Sequence, residues 1–370
     1  MEKQDNKAIK VGIVTLVGLF NYGNRLQAYA TYSIYRSLGF DPCLIEPEAH
    51  FCFADRTKSW LKKLFRVQQI DPSSSMSMER KNRFLSFNQS MRIEHLGYSP
   101  KKVSDAFAFF SVGSDQVWNP SYVRGFENWF YLKGIDSQKK IALSPSIGID
   151  RLTRREAAGL AKGAASFPKL SVREDLGKKL LFQAGGLDST VICDPTLVLY
   201  PSEWRSVSNS GLVPSGQYVF TYLLGGMTPE STDVLEKVTC QGKIPVVALS
   251  DRQKPGEPDA GPAEFISLID HASHVVTDSF HAAVFSSILQ APLTIVHREG
   301  TVSMFSRLEQ LSQMLGIEDK VYGSSSYDLS LAGDYDGVSE AIGRERKKFM
   351  NYLEGCLDEQ LPGWRDGARG

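Results

Sequence analysis

Short apolar runs rich in β-branched residues alternate with helical segments along most of this 370-residue chain. A strand that is apolar throughout, rather than at every second position, is typical of a parallel sheet covered by helices on both faces. Two such series occur, one before and one after a Ser/Gly/Pro-rich connection at 201–216, and the chain is too long for one ordinary core. The alternation therefore predicts an α/β protein with two Rossmann-like open parallel-sheet domains that face each other across a cleft.

The predicted domain boundaries lie where this alternation stops. Residues 1–205 form the first domain, which an insertion at 51–100 interrupts with a Ser/Met-rich loop that we interpret as a lid or flap. Residues 206–337 form the second domain. Residues 338–370 form an amphipathic helix and a polar tail, and the helix is long enough to fold back on the first domain.

Charge and cysteine content exclude several classes of function. Lys plus Arg and Asp plus Glu are equal at 42 each, so no global positive field recruits nucleic acid. The five cysteines are scattered, with no CxxC pair and no histidine at metal-ligand spacing, which argues against a disulfide framework and against a zinc site. No apolar run is long enough to span a bilayer. We therefore expect a cytoplasmic protein with reduced cysteines, no metal and no cofactor.

One strand-to-helix junction carries the strongest functional signal. The apolar strand at 275–277 runs directly into a helical segment that Asp278 or Ser279 can cap and that places His281 in its first turn. A helix start at the carboxyl end of a sheet presents unpaired N–H groups and partial positive charge, which suits phosphate or carboxylate. His281 is then either a proton-transfer group or a core histidine whose nitrogens are satisfied.

The first βα turn is a second candidate, because it follows the strand at 9–17 and lies at the carboxyl edge of the sheet, where such folds bind ligands. The turn lacks the GxGxxG pattern of a dinucleotide site. Its Gly and Asn residues either hold a ligand or serve only the backbone angles of the turn. The residues concerned are Asn21, Tyr22, Gly23 and Asn24.

A third candidate follows the strand at 107–112, where a Gly-Ser-Asp turn begins. It puts a carboxylate, an amide and an indole at the sheet edge, a combination that suits sugar hydroxyls by hydrogen bonding and sugar rings by stacking. Alternatively, the turn only caps the next helix. The residues concerned are Ser114, Asp115, Gln116 and Trp118.

Two basic features have two interpretations each. Arg173 ends the predicted strand at 169–173 and is either a solvated charge or, at the carboxyl edge, a fork for carboxylate or phosphate. Within the insertion, the segment 60–66 places apolar side chains on one helical face and cations on another. That pattern fits an interfacial helix, with peripheral contact at the inner face of the cell membrane, or an ordinary helix packed on the domain.

Taken in order, these motifs resemble those of the polysaccharide pyruvyl transferase family. The resemblance extends from residue 11 to about residue 315 and rests on five stretches in matching order and spacing. They are Asn21-Tyr22-Gly23-Asn24 with Leu26-Gln27 in the following helix, Val112-Gly113-Ser114-Asp115-Gln116-Val117-Trp118-Asn119, Ser171-Val172-Arg173-Glu174, Asp194-Pro195-Thr196, and Thr277-Asp278-Ser279-Phe280-His281.

The resemblance implies a fold similar to that of GT-B glycosyltransferases, with phosphoenolpyruvate as co-substrate and donor. The acceptor it implies is a glycan or lipid-linked oligosaccharide, namely a sugar of a cell-surface or capsular polysaccharide repeat, bound by the first domain through the residues of both turns. His281 and Arg173 are implied as catalytic residues. The implied donor site also includes Asp278, Ser279 and Phe280 of the second domain.

The sequence departs from the family pattern at one position. Members of the family often have an arginine two positions before the motif histidine, where this chain has Ser279. A serine cannot form a bidentate ion pair, so either Arg298 after the next strand replaces it as a donor ligand, or this branch uses another donor. The second possibility keeps open a GT-B-type glycosyltransferase that uses a nucleotide sugar. A non-catalytic carbohydrate-binding protein is a third interpretation.

Overall fold

The structure is a computed structural model and describes residues 8–16, 18, 20–47, 75–97, 99–123, 126–298 and 302–367. Within those ranges the chain forms two open sheets, of five and four strands, and every strand pair in them is parallel. Helices pack on the sheets, so the predicted α/β class with two parallel sheets is confirmed. The domain boundaries stay a prediction.

The first sheet has the strand order β3-β2-β1-β4-β5, with β1 at its centre. Four of the five β1 residues are buried, because strands on both sides and helices above and below cover them. A parallel pair, β6 and β7, follows in the chain. The strands are β1 (Lys10–Val14), β2 (Asp41–Pro47), β3 (Ile93–Leu96), β4 (Phe109–Val112), β5 (Lys140–Ala142), β6 (Ser171–Val172) and β7 (Thr190–Val191).

The second sheet has the strand order β11-β10-β8-β9, and its central strand β10 leads to His281. Val275 of β10 pairs with Phe220 on one side and with Leu293 on the other, so β10 is held from both edges. The strands are β8 (Val219–Tyr222), β9 (Val246–Leu249), β10 (His274–Thr277) and β11 (Leu293–Ile295).

The helices begin and end at recognisable signals. Asn21 caps the first helix by accepting a hydrogen bond from the backbone N–H of Asn24, and Gly39 at φ 85° turns the chain from that helix towards β2. The helices are α1 (Tyr22–Ser37), α2 (Met78–Asn88), α3 (Pro100–Ala106), α4 (Pro120–Val123), α5 (Glu127–Phe130), α6 (Arg154–Ala164), α7 (Asp175–Gly185), α8 (Pro201–Ser206), α9 (Pro229–Val238), α10 (Pro262–Asp270), α11 (Phe280–Leu289), α12 (Val302–Leu315), α13 (Val338–Gln360) and α14 (Trp364–Gly367).

One apolar core joins the two sheets. Residues of α1, α10 and α11 belong to the same buried cluster. At its centre the Tyr22 ring stacks on Phe265 with 4.7 Å between centroids, and the Tyr22 hydroxyl donates to the carbonyl of Ala260 at 2.8 Å. The C-terminal helix also reaches the first sheet, since Gln360 donates to the carbonyl of Lys140 at 2.8 Å.

The predicted insertion at 51–100 is wrong for its second half. Residues 78–96 contain α2 and β3, and β3 pairs with β2 as the edge of the first sheet. The apolar run that would predict a strand is weak here, because β3 reads Ile-Glu-His-Leu and half of its residues are charged or polar. Helix α2 ties the sheets together through buried Arg80, which donates to the carbonyl of Ser250 at 2.7 Å. The predicted interfacial helix at 60–66 lies outside the described residues.

The predicted connection at 201–216 is only partly a loop, because 201–206 form helix α8 and 210–212 form a 3-10 turn. Pro201 stands at the first position of α8, where its missing N–H costs no helical hydrogen bond. The Ser/Gly/Pro content that predicts a loop therefore includes a helix start.

His274 gives the fold a measurable pH dependence. Its ring is buried, with Nε2 2.8 Å from Thr294 Oγ1, and burial lowers the pKa of this imidazole from 6.5 to about 4. Between these two values the unfolded chain binds a proton that the folded chain does not, so stability falls as the pH is lowered. We expect His274 to account for a loss of about 2 kcal/mol between pH 7 and pH 5.

Urea denaturation of the wild type and of His274→Asn at both pH values measures this contribution. The variant should lose less stability than the wild type on acidification, because Asn does not titrate. Equal pH dependence in the two proteins would mean that His274 is not buried in its neutral form.

Candidate functional site

The carboxyl ends of strands from both sheets meet at one cluster of side chains. Ser114 follows β4, Arg173 follows β6, Asp194 follows β7 and His281 follows β10. Helix α1 approaches so closely that a Cβ atom added to Gly23 would lie 2.1 Å from His281 Nδ1. Gly23, Ser114, Arg173 and His281 each belong to a different one of the five predicted motifs, so four motifs converge here. Asp194, from the fifth motif, lies between them.

Asp194 is the centre of this cluster. Its buried carboxylate accepts hydrogen bonds from Arg173 Nη1 at 2.7 Å, Ser114 Oγ at 3.1 Å and Thr196 Oγ1 at 2.7 Å. His281 Nε2 lies 3.8 Å from its Oδ2 atom. Burial alone would raise the pKa of Asp194, but the neighbouring His281 and Arg173 together lower it below the usual range. The carboxylate is therefore ionised at neutral pH.

Arg173 has one edge of its guanidinium without a hydrogen-bond partner. Its Nε and Nη2 atoms are buried and unbonded among the described residues, with carboxylate oxygens of Glu174 and Asp115 each 3.8 Å away. The Phe280 ring covers the guanidinium, with its centroid 4.6 Å from Cζ. Nε and Nη2 form the edge that can bind a carboxylate or phosphate through two parallel bonds. Arg173 is therefore not a solvated surface charge.

His281 does not have the satisfied nitrogens of an ordinary core histidine. Its side chain is 13 % exposed, and its Nε2 atom has no hydrogen-bond partner among the described residues although it faces Asp194. It lies in the first turn of α11, as predicted. The imidazole therefore combines a nearby counter-charge with partial access to solvent, which suits a group that exchanges protons.

Ser279 stands at the N-cap position of α11, as predicted, but no side-chain bond caps the helix there. The Asp278 carboxylate accepts instead from the backbone N–H groups of Leu224 and Gly225, each at 2.7 Å. Asp278 thus ties β10 to the loop after β8. The start of α11 keeps its backbone N–H groups free of a side-chain cap, which favours an anionic ligand there.

Arg298 binds Asp278 rather than standing free. Its Nε atom donates to Asp278 Oδ2 at 3.1 Å, and Gly225 leaves room for the stem, since a Cβ atom there would lie 2.2 Å from Arg298 Cγ. To replace the arginine missing at Ser279, Arg298 would have to leave this ion pair. Its role as a donor ligand therefore stays a prediction.

Sequence reasoning missed Arg307 on α12. This residue is 8 % exposed and lines a small cavity together with Arg173, Asp194 and Phe280. Burial lowers the pKa of Arg307, as does the like charge of Arg173. Little in the sequence indicates that Arg307 is buried, because an arginine in an amphipathic helix is ordinarily solvated. In this fold it is a second cation beside the Arg173 fork.

The residues of the first turn, predicted to bind an acceptor, mostly serve the structure. Tyr22 is buried between the sheets, and the Asn21 side chain caps α1. Asn24 accepts from Gly18 N–H at 3.1 Å and donates to Asp115 Oδ2 at 3.3 Å. Together with Gly23, these contacts fix the distance between α1 and the cluster.

The predicted stacking of Trp118 on a sugar does not fit this structure. The indole is fully buried between Tyr131 and Phe167, with ring centroids 5.8 and 5.6 Å away. The turn directs the chain back into the core, because Trp118 N–H donates to the carbonyl of Ser146. Gln116 is also buried and accepts from Asn119 at 2.7 Å. Of this turn, only Asp115 presents a partly exposed polar group, with 15 % of its side chain accessible.

Gly23 offers a test of this geometry. Gly23→Ala would force His281 to move, since the added methyl group has no room, and we expect turnover to fall by about tenfold or more. Gly343→Ala on α13 is the matched control, because nothing lies within 4 Å of its Cβ position. Turnover and melting temperature should be measured on both. Wild-type turnover in a folded Gly23→Ala protein would contradict the arrangement.

The part of the chain that the structure describes contains neither a metal-binding cluster nor a membrane-spanning helix. No group of His, Cys, Asp and Glu side chains there is arranged to hold a metal ion. None of its helices is both long and apolar enough to cross a membrane.

One of the solved structures similar to this chain reaches a TM-score of 0.50 and shares its fold, and two others score lower. A protein of Listeria monocytogenes described as a UDP-N-acetylglucosamine 2-epimerase has 8% identity and a TM-score of 0.50, with 96% of this chain and 98% of that chain covered. The UDP-GlcNAc 2-epimerase of Methanocaldococcus jannaschii has 10% identity and a TM-score of 0.44, with 98% of each chain covered. MurG of Acinetobacter baumannii has 8% identity and a TM-score of 0.40, with 95% and 99% covered. The fold is GT-B-like.

The sequence comparison gives the family. No curated protein sequence matches the chain. The model of the polysaccharide pyruvyl transferase family matches residues 21–296, a range that includes the Asn21 turn, the Ser114 turn, Arg173, Asp194 and His281. Because this range is well over half of the chain, the protein belongs to the polysaccharide pyruvyl transferase family.

Proposed function

We propose that this protein transfers the pyruvyl group of phosphoenolpyruvate onto a sugar of a cell-surface or capsular polysaccharide repeat, where it forms a pyruvate ketal. The observation that carries the proposal is the unbonded Nε–Nη2 edge of Arg173, buried beside His281 and the uncapped start of α11. Phosphoenolpyruvate carries both a carboxylate and a phosphate, and this arrangement offers a fork for one and a helix terminus for the other.

His281 would supply the proton transfers of the reaction. A proton is added to the methylene carbon of phosphoenolpyruvate, and one sugar hydroxyl attacks the cationic carbon that results. The bond from this carbon to the phosphate oxygen breaks, and a second hydroxyl of the acceptor closes the ketal. Of the two hydroxyl protons, one balances the proton gained by the new methyl group and the other leaves with phosphate. An imidazole can give and take these protons near neutral pH.

Asp194 is the positioning residue in this proposal. Its ionised carboxylate holds Arg173 at 2.7 Å and faces His281 at 3.8 Å, so it orients the guanidinium of Arg173 and keeps the imidazole beside it. Asp194 therefore acts on the reaction through Arg173 and His281 rather than by touching the donor itself.

We further propose that the protein acts in the cytoplasm. The described cysteines are all free, which fits a reducing compartment. The acceptor would be a glycan or a lipid-linked oligosaccharide that approaches the partly exposed carboxylate of Asp115. The peripheral membrane contact predicted for residues 60–66 lies outside the described residues.

Thermal-shift measurements test the donor. Phosphoenolpyruvate should raise the melting temperature in a concentration-dependent way, because it binds only the folded state, and UDP-glucose should not. Stabilisation by UDP-glucose alone would instead favour a glycosyltransferase that uses a nucleotide sugar. Stabilisation by neither would favour a non-catalytic carbohydrate-binding protein.

A matched pair of arginine variants identifies the second donor cation. Arg307→Lys and Arg298→Lys both keep the charge and lose the planar fork. We expect Arg307→Lys to raise the donor KM by about tenfold, because Arg307 lines the cavity beside Arg173, and Arg298→Lys to leave it nearly unchanged, because Arg298 lies outside that lining. Steady-state kinetics with varied phosphoenolpyruvate measures both values. The reverse ranking would assign the missing family arginine to Arg298.

A further inference from the structure

A second cavity, of about 890 Å³, lies beside the first sheet and shares no lining residue with the cavity at Arg173 and Arg307. Helices α4, α5 and α6 line it, together with residues 133–135 and the first residue of β5. Its volume falls within the range of roughly 300–1,000 Å³ that small-molecule sites occupy. Nothing in the proposed reaction uses it.

Lys140 brings a positive charge without an ion-pair partner to this cavity. The residue is only 2 % exposed, and its Nζ atom donates to the carbonyl of Tyr131 at 3.2 Å and to Ser166 Oγ at 3.1 Å. Both acceptors are neutral, the centroid of the Phe167 ring lies 5.5 Å from Nζ, and no carboxylate of the described residues forms an ion pair with this lysine. Burial lowers the pKa of Lys140, and the Asp136 carboxylate opposes that shift from beyond ion-pair distance. An ammonium group has three donors, and a buried charge is costly unless an anion compensates it. A bound anion would supply both the third acceptor and the counter-charge.

The remaining charged residues of the lining reinforce this potential. Lys133, Arg155 and Lys162 join Lys140, against two carboxylates, so the formal charge of the lining is four minus two, or +2. One of the carboxylates, Glu156, is already engaged as the cap of α6, where it accepts from the backbone N–H of Thr153 at 2.8 Å. The net charge of the lining therefore favours anions over cations, mainly through buried Lys140, because solvent screens the three exposed cations.

The lining of the cavity combines open space with apolar and polar side chains. Gly163 allows the Tyr131 ring to lie against α6, since a Cβ atom there would be 2.4 Å from the ring. One turn earlier on the same helix, Gly159 has nothing within 4 Å of its Cβ position, which leaves open space beside the ring. Leu160 and Ile135 add apolar surface. Open space beside this apolar surface, together with the polar side chains of Ser121, Asn128 and Thr153, suits a ligand that has both a carbon ring and hydroxyl groups.

We propose that this cavity binds a monosaccharide-sized molecule that carries a carboxylate or a phosphate, with the Lys140 ammonium group as the anchor of the anionic group. The ligand class matches the two properties of the lining, its positive charge and its mixed apolar and polar surface. A uronic acid and a sugar phosphate both meet this description. The inference is independent of the proposed reaction, because the two cavities have no residue in common.

Isothermal titration calorimetry of the full-length protein tests the proposal with four probes, glucuronate, glucose 6-phosphate, inorganic phosphate and glucose. We expect glucuronate or glucose 6-phosphate to bind at least about tenfold more tightly than glucose, since a charge-assisted hydrogen bond contributes that much. Which of the two binds more tightly identifies the anionic group. Inorganic phosphate that binds as tightly as both would overturn the sugar part of the proposal.

Gly159→Phe is the decisive variant, because its side chain would fill the cavity without displacing any atom near the Cβ position. It should weaken binding of the sugar acid or sugar phosphate by about tenfold or more, as should Lys140→Met if that variant folds. Gly343→Phe on α13, where the Cβ position is equally open, is the control and should bind normally. Unchanged binding to Gly159→Phe, or no binding of either anionic sugar to the wild type, would refute the site. Either result leaves phosphoenolpyruvate binding at Arg173 and His281 unaffected.

Discussion

Replacing His281 by alanine should lower turnover by a factor on the order of 10² to 10⁴, which general acid–base catalysis usually contributes, while donor affinity and melting temperature stay near the wild-type values. Two features of the structure support this expectation. Nε2 of the ring has no hydrogen-bond partner among the described residues, so its loss breaks no network that stabilises the fold. The side chain is partly exposed, so its removal leaves a cavity that solvent can reach.

His281→Asn separates proton transfer from hydrogen bonding. An amide can imitate one hydrogen bond of the ring but cannot exchange a proton in the physiological pH range, so this variant should be as inactive as the alanine variant. A histidine with only a structural role would behave differently. Asparagine would then be tolerated, and alanine would mainly lower the melting temperature. Near wild-type turnover in either folded variant would rule out His281 as the proton-transferring residue.

Arg173→Lys should raise the donor KM by about tenfold or more, because lysine keeps the charge but has no planar edge for two parallel hydrogen bonds. The Nη1 contact to Asp194, at 2.7 Å, can be replaced by the lysine ammonium group, so the fold should be preserved. The loss should therefore appear in donor binding and only weakly in the melting temperature.

Arg205→Lys is a matched control for this variant. Arg205 also binds a carboxylate through two atoms, with Nε and Nη2 at 2.9 and 2.8 Å from the oxygens of Asp270, but it is exposed and belongs to none of the five motifs. Its replacement should leave the donor KM unchanged. If Arg173→Lys and Arg205→Lys behave alike, the free edge of Arg173 does not bind the donor.

The sequence was sufficient to predict the described strands other than β3, and the edge where the site lies. Strands such as β10 are buried on both faces, so their apolar runs carry an unambiguous signal, and parallel strands put His281 and Arg173 at the carboxyl edges. The central position of Asp194 was not predictable. It depends on β7 lying beside β6, and on Ser114 and His281 arriving from distant parts of the chain.

Sequence reasoning failed for Trp118 and Arg307 because three-dimensional packing, which the sequence pattern does not show, decides both positions. Trp118 was assigned to ligand stacking because it follows a strand end, but a local turn returns it to the core. Burial of an indole is strongly favourable, and only three-dimensional packing decides whether protein or ligand covers it. Arg307 was missed for the opposite reason, because its helical pattern marks it as solvated whereas α12 packs it against Arg173.

The most direct test of the proposed function is the reaction itself, carried out in deuterium oxide with phosphoenolpyruvate and a panel of oligosaccharide acceptors. Nuclear magnetic resonance follows the acceptor, and a phosphate assay follows the donor. We predict an acceptor-dependent ketal whose new methyl group carries deuterium, with one phosphate released for each ketal formed. His281→Ala should form almost none. Acceptor modification that requires a nucleotide sugar and leaves phosphoenolpyruvate unconsumed would contradict the proposal.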